Sequence, residues 1–245
     1  MKRTVAGILY ITLLGLLNQV AQAGDGYRLL ELNGHDVKWG APEFGTRATL
    51  TYAIAGASAG ASGVRNCRKV TGIDGLLAHS KLTRTVFTAQ VKAALAMWES
   101  VANVRFLPAR RAINADLLIS AEAVPDGVAY TDVTQTSSAG PSIDSLKKAI
   151  ICLNPNQYWM AAAPTSPASS AKPNAYKLKY VLAHEIGHAL GLNHPSPSGE
   201  LMSFEYNRNM DSLQPGDIVG IVALYGPQRH ASGTPVVALN MKAAP

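Results

Sequence analysis

Apolar residues recur along this chain in two distinct periods. Between residues 48 and 54, ATLTYAI, apolar and polar positions alternate among β-branched and aromatic side chains, which predicts a half-buried strand. From about 85 to 101, Phe87, Val91, Ala94, Leu95, Trp98 and Val101 fall at helical spacing and predict an amphipathic helix. Short apolar runs at 103–107, 115–119, 128–130 and 149–153 read as further strands, with a polar, Ser-rich turn region at 132–146. Two later helices are predicted at about 176–190 and 215–225, the second with Ile218, Ile221, Val222 and Leu224 on or near one face. Residues 55–63 read as a small-residue loop and 64–82 as an irregular insertion. The low-complexity stretch 161–175, with three prolines, reads as a loop or linker. Strands interleaved with a helix and followed by two more helices predict an α+β or α/β domain, with no internal repeat.

The two ends depart from this pattern. Lys2 and Arg3 precede an uncharged run from 4 to 24 whose apolar centre is 5–17 and which ends Ala21-Gln22-Ala23. A basic start, a short apolar core and an A-x-A end predict a secretory signal peptide over 1–23. An uncleaved anchor is the alternative, weakened by Asn18, Gln19 and Gln22. One domain over 24–227 and a tail over 228–245 follow. Export predicts an extracellular location, or a periplasmic one in a Gram-negative source, with no stable membrane association after cleavage. In such an oxidising compartment Cys67 and Cys152 are expected to pair as a disulfide, with two free thiols as the alternative. Loss of Lys2 and Arg3 lowers the formal charge from +6 to +4. No basic stripe gathers that charge, so nucleic acid is not an expected partner.

Candidate chemistry concentrates in residues 184–194, HEIGHALGLNH. On a helix His184 and His188 lie on one face and present two imidazoles to one point, while Glu185 is offset by about one hundred degrees and flanks it. Gly191 stands where the helix would end in a left-handed residue. The turn there lets His194 return towards the same point. Three neutral imidazoles suit zinc and leave the fourth tetrahedral position to water, the open geometry of a catalytic site. Glu185 beside such a water can act as general base and later as proton donor to a leaving amine. A solvated His-rich helix is the bland alternative, and the five fixed positions of the spacing weigh against it.

With Leu201, Met202 and Ser203 after His194, the motif resembles the metzincin metalloproteases, and most of all the matrixin family. Residues 37–39 and 50–54, 94–106 with Trp98, 115–119, and 217–227 are also similar to matrixin blocks, so the resemblance covers 37–227 in pieces. It implies an α+β metzincin-like fold: a twisted mixed five-stranded sheet with helices, and a small C-terminal sub-lobe after His194. It implies a secreted zinc endopeptidase with protein or peptide substrates, monomeric, holding one catalytic zinc on His184, His188 and His194. Glu185 would be the general base and Met202 an apolar floor beneath the metal. Residues 128–130 would lie on the edge strand above the cleft, and 203–213 would line the side-chain pocket.

Several positions depart from that family. No histidine occurs between 120 and 152, so the second, structural zinc common in matrixins is not expected. Calcium at Asp126, Asp132 and Asp144 is conceivable but unsupported, and we read these as solvated turn carboxylates. Pro195 is more like the serralysin branch, yet glycine-rich calcium repeats are missing and Phe204 stands where that branch has tyrosine. Tyr206 is a weak candidate for oxyanion support, and a wall residue is the preferred reading. Cys67 lacks the sequence of a zinc-capping thiol. The competing function is a non-catalytic zinc-binding or adhesion module on the same scaffold, against which the retention of Glu185 argues.

Overall fold

The computed structural model describes residues 26–56, 65–136, 143–161, 175–196 and 199–229. The expectations for 1–23, for 162–174 and for 230–245 lie outside the described residues. The elements run in chain order β1 (Arg28–Leu29), β2 (Glu31–Leu32), β3 (His35–Lys38), β4 (Ala48–Ile54), β5 (Val70–Thr71), α1 (Asp74–Ser80) and α2 (Arg84–Glu99). They continue with β6 (Val104–Pro108), β7 (Leu117–Glu122), β8 (Ala129–Thr136), β9 (Ile143–Leu153), β10 (Tyr158–Met160), β11 (Ala175–Lys177), α3 (Leu178–Ala189), β12 (Leu192–Asn193) and α4 (Pro215–Tyr225).

One mixed sheet organises the domain, in the order β2-β3-β9-β7-β4-β6, with β5 added to β7 and β8 to β9. The five strands of five or more residues, β4, β6, β7, β8 and β9, are the expected five. Short β2, β3 and β5 extend them to eight strands. β4, β6, β7 and β9 are mutually parallel, whereas β8 runs antiparallel to β9 and has no strand on its other side among the described residues. That free edge faces the cleft described below.

Alternation along the strands sends side chains to two apolar layers. Leu117, Ile119 and Ile151 enter the main core against Phe87, Val91, Trp98, Leu182 and Ile186 of α2 and α3. Leu118, Ile150 and Cys152 face the other way, into a smaller cluster with Ala55, Cys67 and Val70. Each large apolar side chain fully buried in this way contributes roughly 1.5–3 kcal/mol. Trp98 is wholly buried and its indole Nε1 donates to Ala183 O at 2.9 Å, tying α2 to α3 one residue before His184. Lys38 is buried beside this layer. Its Nζ donates to Trp39 O, Ala41 O and Thr46 Oγ1, and desolvation pulls its pKa down to about 8.

Three local expectations change. The segment 64–82 is not irregular throughout: it contains β5 and α1, whose Ile73, Leu76, Leu77 and Ser80 are buried at helical spacing. Seven residues closed by Lys81 in the left-handed region (φ 55°) are too short for the period to stand out. The strand expected at 128–130 extends to Thr136, and β9 starts at Ile143, so the polar residues 132–136 and 143–146 are strand. Thr131, Asp132, Thr134 and Gln135 suit an edge strand, where polar side chains on a half-exposed face mimic turn composition. Asp132 and Asp144, expected as solvated, are buried. Asp132 accepts from the backbone N–H groups of Arg65, Asn66 and Cys67, and Asp144 from Gln135 Nε2.

Cys67 and Cys152 form the expected disulfide, so neither thiol is available to cap a metal. The bond closes a separation of 85 residues and pins the 65–70 segment to the outer face of the sheet. A Cys67→Ser, Cys152→Ser double variant is expected to lose about 2–4 kcal/mol of unfolding free energy in urea titrations. Matching midpoints for variant and oxidised wild type would contradict a stapling role.

Candidate metal centre and cleft

Helix α3 brings His184 and His188 onto one face, and the chain turns back through β12 to deliver His194. His184 Nε2 and His188 Nε2 lie 3.2 Å and 3.0 Å from His194 Nε2. A tetrahedral zinc with bonds of about 2.05 Å would set its ligand nitrogens about 3.3 Å apart, so the observed spacing fits such an ion. The tautomers fit as well. His184 Nδ1 lies 2.7 Å from Leu201 O and His188 Nδ1 lies 2.9 Å from Leu192 O, and a carbonyl can only accept. Both Nδ1 atoms therefore carry the proton, which leaves an Nε2 lone pair aimed inward on each ring. Burial lowers the pKa of all three imidazoles, His188 far below its ordinary value and His194 to about 4, so all three are neutral donors near neutral pH. No other group of three ligating side chains gathers among the described residues.

The C-terminal end of α3 shows how the site is held. Its last carbonyls lack helical partners. Trp39 Nε1 donates to Ala189 O at 2.6 Å and Tyr225 Oη donates to Leu190 O at 2.6 Å, while Tyr225 Oη also accepts from Trp39 N. Gly191 then adopts φ 102°, and a Cβ there would collide with Val37 O. Leu30 N donates to Gly191 O, and β1 pairs with β12, so the segment between His188 and His194 is clamped by the N-terminal strand.

Met202 lies beneath α3, 2% exposed. A Cβ on Gly187 would overlap Met202 Sδ and crowd Trp98, so glycine in mid-helix, at a cost of about 1 kcal/mol, permits this close approach. Asp217 fixes the turn from the other side. Its carboxylate accepts from Leu201 N at 2.8 Å and Met202 N at 3.0 Å, and also from the N–H of Gln214, the N-cap of α4, as the third-position partner of a capping box. Leu201 O, which holds His184, and Met202 N, which donates to Asp217, belong to one peptide unit, so Asp217 reaches the imidazole through it.

Glu185 sits next to this centre with its carboxyl buried, and burial pushes its pKa up to about 7 against the opposing hydrogen bond from Thr131. Thr131 Oγ1, on β8, donates to Glu185 Oε2 at 2.7 Å and lies 3.0 Å from Glu185 O. A cleft of about 780 Å³ opens over these groups, bounded by residues 127–133, by Leu30 and Leu32, and by Tyr176, Tyr180 and Tyr206. Tyr206 Oη accepts from Lys177 N at 2.8 Å, and its ring packs edge-on to Tyr176 and Tyr180, so it is built in as a wall. Phe204 is 82% exposed and meets the His194 ring edge-on at 5.2 Å.

The structure thus brings His184, Glu185, His188 and His194 together, with Met202 below them. Sequence reasoning passed over Thr131, Gly187 and Asp217 as parts of the site. Asp217 carries a readable cap signal three residues after Gln214 and two after Pro215, but its grip on the Met202 turn is a tertiary contact with no local pattern.

Comparison with known proteins agrees with this geometry. A family model described as matrixin, of the M10 peptidases, matches residues 75–226, more than half of the chain. The chain belongs to the matrixin family. Its relatives include interstitial collagenase from Oryctolagus cuniculus, 47% identical over 58 residues, or 23% of this chain and 12% of the collagenase. Matrix metalloproteinase-19 from Homo sapiens is 49% identical over 51 residues, 20% of this chain and 10% of that protein. Metalloendoproteinase 1-MMP from Arabidopsis thaliana is similar over a longer span, 29% identical over 185 residues, 74% of this chain and 44% of the plant protein. The chain thus spans less than half the length of each of these matrixins.

A metal held by this centre is expected to stabilise the fold. With zinc at about a hundred times its dissociation constant, unfolding free energy rises by about 2.7 kcal/mol over chelator-treated protein. Differential scanning calorimetry reads the shift, and His188→Ala is expected to lose most of it. An unchanged transition in the wild type would contradict metal binding at the three histidines.

Proposed function

We propose that this matrixin is an exported zinc-dependent endopeptidase, extracellular or periplasmic, that hydrolyses peptide bonds within proteins. The observation that carries the reading is the placement of three neutral imidazole nitrogens beside a buried carboxylate, under the free edge of a strand. His184, His188 and His194 are the residues that would hold the zinc. When bound, zinc supplies a Lewis acid for the scissile carbonyl and lowers the pKa of water at its open position.

The remaining work falls to the chain's own groups. An extended substrate adds to the edge of β8, and main-chain hydrogen bonds set its register. Glu185 Oε1, the oxygen that Thr131 does not hold, takes the proton from the attacking water and passes it to the leaving nitrogen, which departs as an amine. Thr131 Oγ1 holds Oε2 on one side, so the carboxylate keeps one orientation through both transfers. Tyr176, Tyr180 and Tyr206 wall the apolar part of the cleft that receives a substrate side chain. Peptide substrates, and not nucleic acid, suit a cleft with a strand edge on one side and aromatic rings on the other.

A non-catalytic zinc module would keep the imidazoles and have no use for the carboxylate. We therefore expect Glu185→Ala and Glu185→Gln, loaded with zinc, to cleave an unfolded protein at least ~100-fold more slowly than the wild type. Bound zinc, measured by mass spectrometry, is expected to stay at one per chain. Cleavage at wild-type rate by either variant would refute the proposed role of Glu185.

A further inference from the structure

One rim of the cleft comes from outside the sheet. Residues 65–69, Arg-Asn-Cys-Arg-Lys, lie against the outer face of the sheet. The disulfide fixes Cys67 to β9. Asp132 Oδ2 on β8 accepts from the backbone N–H groups of Arg65 at 2.8 Å, Asn66 at 2.9 Å and Cys67 at 3.0 Å. Glu122 Oε1 accepts from Lys69 N at 3.0 Å. A covalent bond and two carboxylates thus hold this backbone against the edge strand, and Arg65 and Asn66 reach the lining of the cleft.

Two of its side chains close locally: Arg68 Nε donates to Arg65 O at 2.9 Å and Asn66 Nδ2 to Asp132 Oδ1 at 3.2 Å. Arg65, Arg68 and Lys69 are all exposed, and none makes an ion pair among the described residues. Asp132 and Glu122 accept from backbone N–H groups of this segment, and Asp132 Oδ1 also accepts from Asn66 Nδ2. The preceding residues 57–64, ASAGASGV, contain no carboxylate. Among the described residues Arg65 is the one Lys or Arg in the cleft lining. Along β8, Thr131 points towards α3 and the metal centre, so Asp132, one residue on, faces the outer side under Arg65. A peptide paired with this edge presents its own side chains alternately to the same two sides.

We propose that Arg65, held at the rim by the Cys67–Cys152 staple and by Asp132, recognises an acidic substrate side chain that faces the outer side of the sheet near the scissile bond. This rests on the endopeptidase reading and adds a substrate preference to it. An Arg65 guanidinium in partly screened surroundings favours a carboxylate and repels an ammonium by modest factors. For otherwise identical peptides, the ratio of kcat/KM for Glu over Lys at the recognised position is expected to be about three- to tenfold.

The test is a fluorogenic peptide panel carrying Glu, Gln or Lys at successive positions around the cleaved bond, assayed on the zinc-loaded mature chain. The wild type is expected to prefer Glu over Gln over Lys at one outward-facing position, with the preference shrinking in about 1 M sodium chloride. Arg65→Gln is expected to bring the ratio close to one, Arg65→Glu to reverse it and Arg65→Lys to retain most of it. The backbone N–H of residue 65 keeps its bond to Asp132 in every variant, and the readout is a ratio between peptides. A wild-type ratio near one at every position, or a ratio unchanged in Arg65→Gln, overturns the proposal while leaving the endopeptidase reading intact. Cleavage of no peptide in the panel, and of no unfolded protein, overturns both.

Discussion

The Nε2 atoms of His184 and His188 lie 3.2 Å and 3.0 Å from that of His194, a spacing at which three lone pairs would repel unless a cation lay between them, and the rest of the domain is arranged around that cluster. Neutral nitrogens aimed at a common point are costly to collect in a buried place, so each must be locked by a second bond. Leu201 O and Leu192 O lock two of the rings by accepting their Nδ1 protons. Both carbonyls belong to segments outside α3. The metal centre therefore depends on where β12 and the Met202 turn lie.

Those positions are set by packing that is not itself chemical. Trp39, Trp98 and Tyr225 each give one hydrogen bond to a carbonyl in or at the end of α3, and each is buried. They join the N-terminal strand, the first long helix and the last helix to the helix that carries His184 and His188. Asp217 joins the start of α4 to the Met202 turn by the same means. Gly187 and Gly191 are two places where a side chain would push these elements apart, and Gly216 of α4, against Gly26 O, is a third. Since all these contacts converge on one helix, substitutions among them are expected to interact strongly and not to add.

Much of this was legible in the chain, and the limits of legibility follow from physical causes. β4 and α4 match their expected bounds because seven alternating residues and a Pro-started, Gly-ended run carry their signal locally. The residues HEIGHALGLNH revealed the three histidines and the carboxylate because helical geometry alone places two of them together. The return of His194 needed only a glycine at the helix end. β8 was shortened because its polar edge resembles a turn, and α1 was passed over because two turns of helix show too little of their period. Thr131 and Asp217 act across 54 and 16 residues of sequence, and no local pattern encodes such partners. The buried, fully bonded Asp132 and Asp144 were misjudged as solvated for the same reason.

The cleft joins two kinds of construction. One side is the regular edge of β8, which can pair with any extended backbone; the other is a set of side chains and a segment stapled by the disulfide. At their meeting point His184, His188 and His194 gather as the one group of three ligating side chains among the described residues. X-ray absorption at the zinc edge of the zinc-loaded protein decides whether they hold a single ion. One zinc per chain with a scattering pattern of three imidazoles, reduced to two in His194→Ala, is the expected result. Sulfur in the coordination shell, or three imidazoles persisting in that variant, would contradict it.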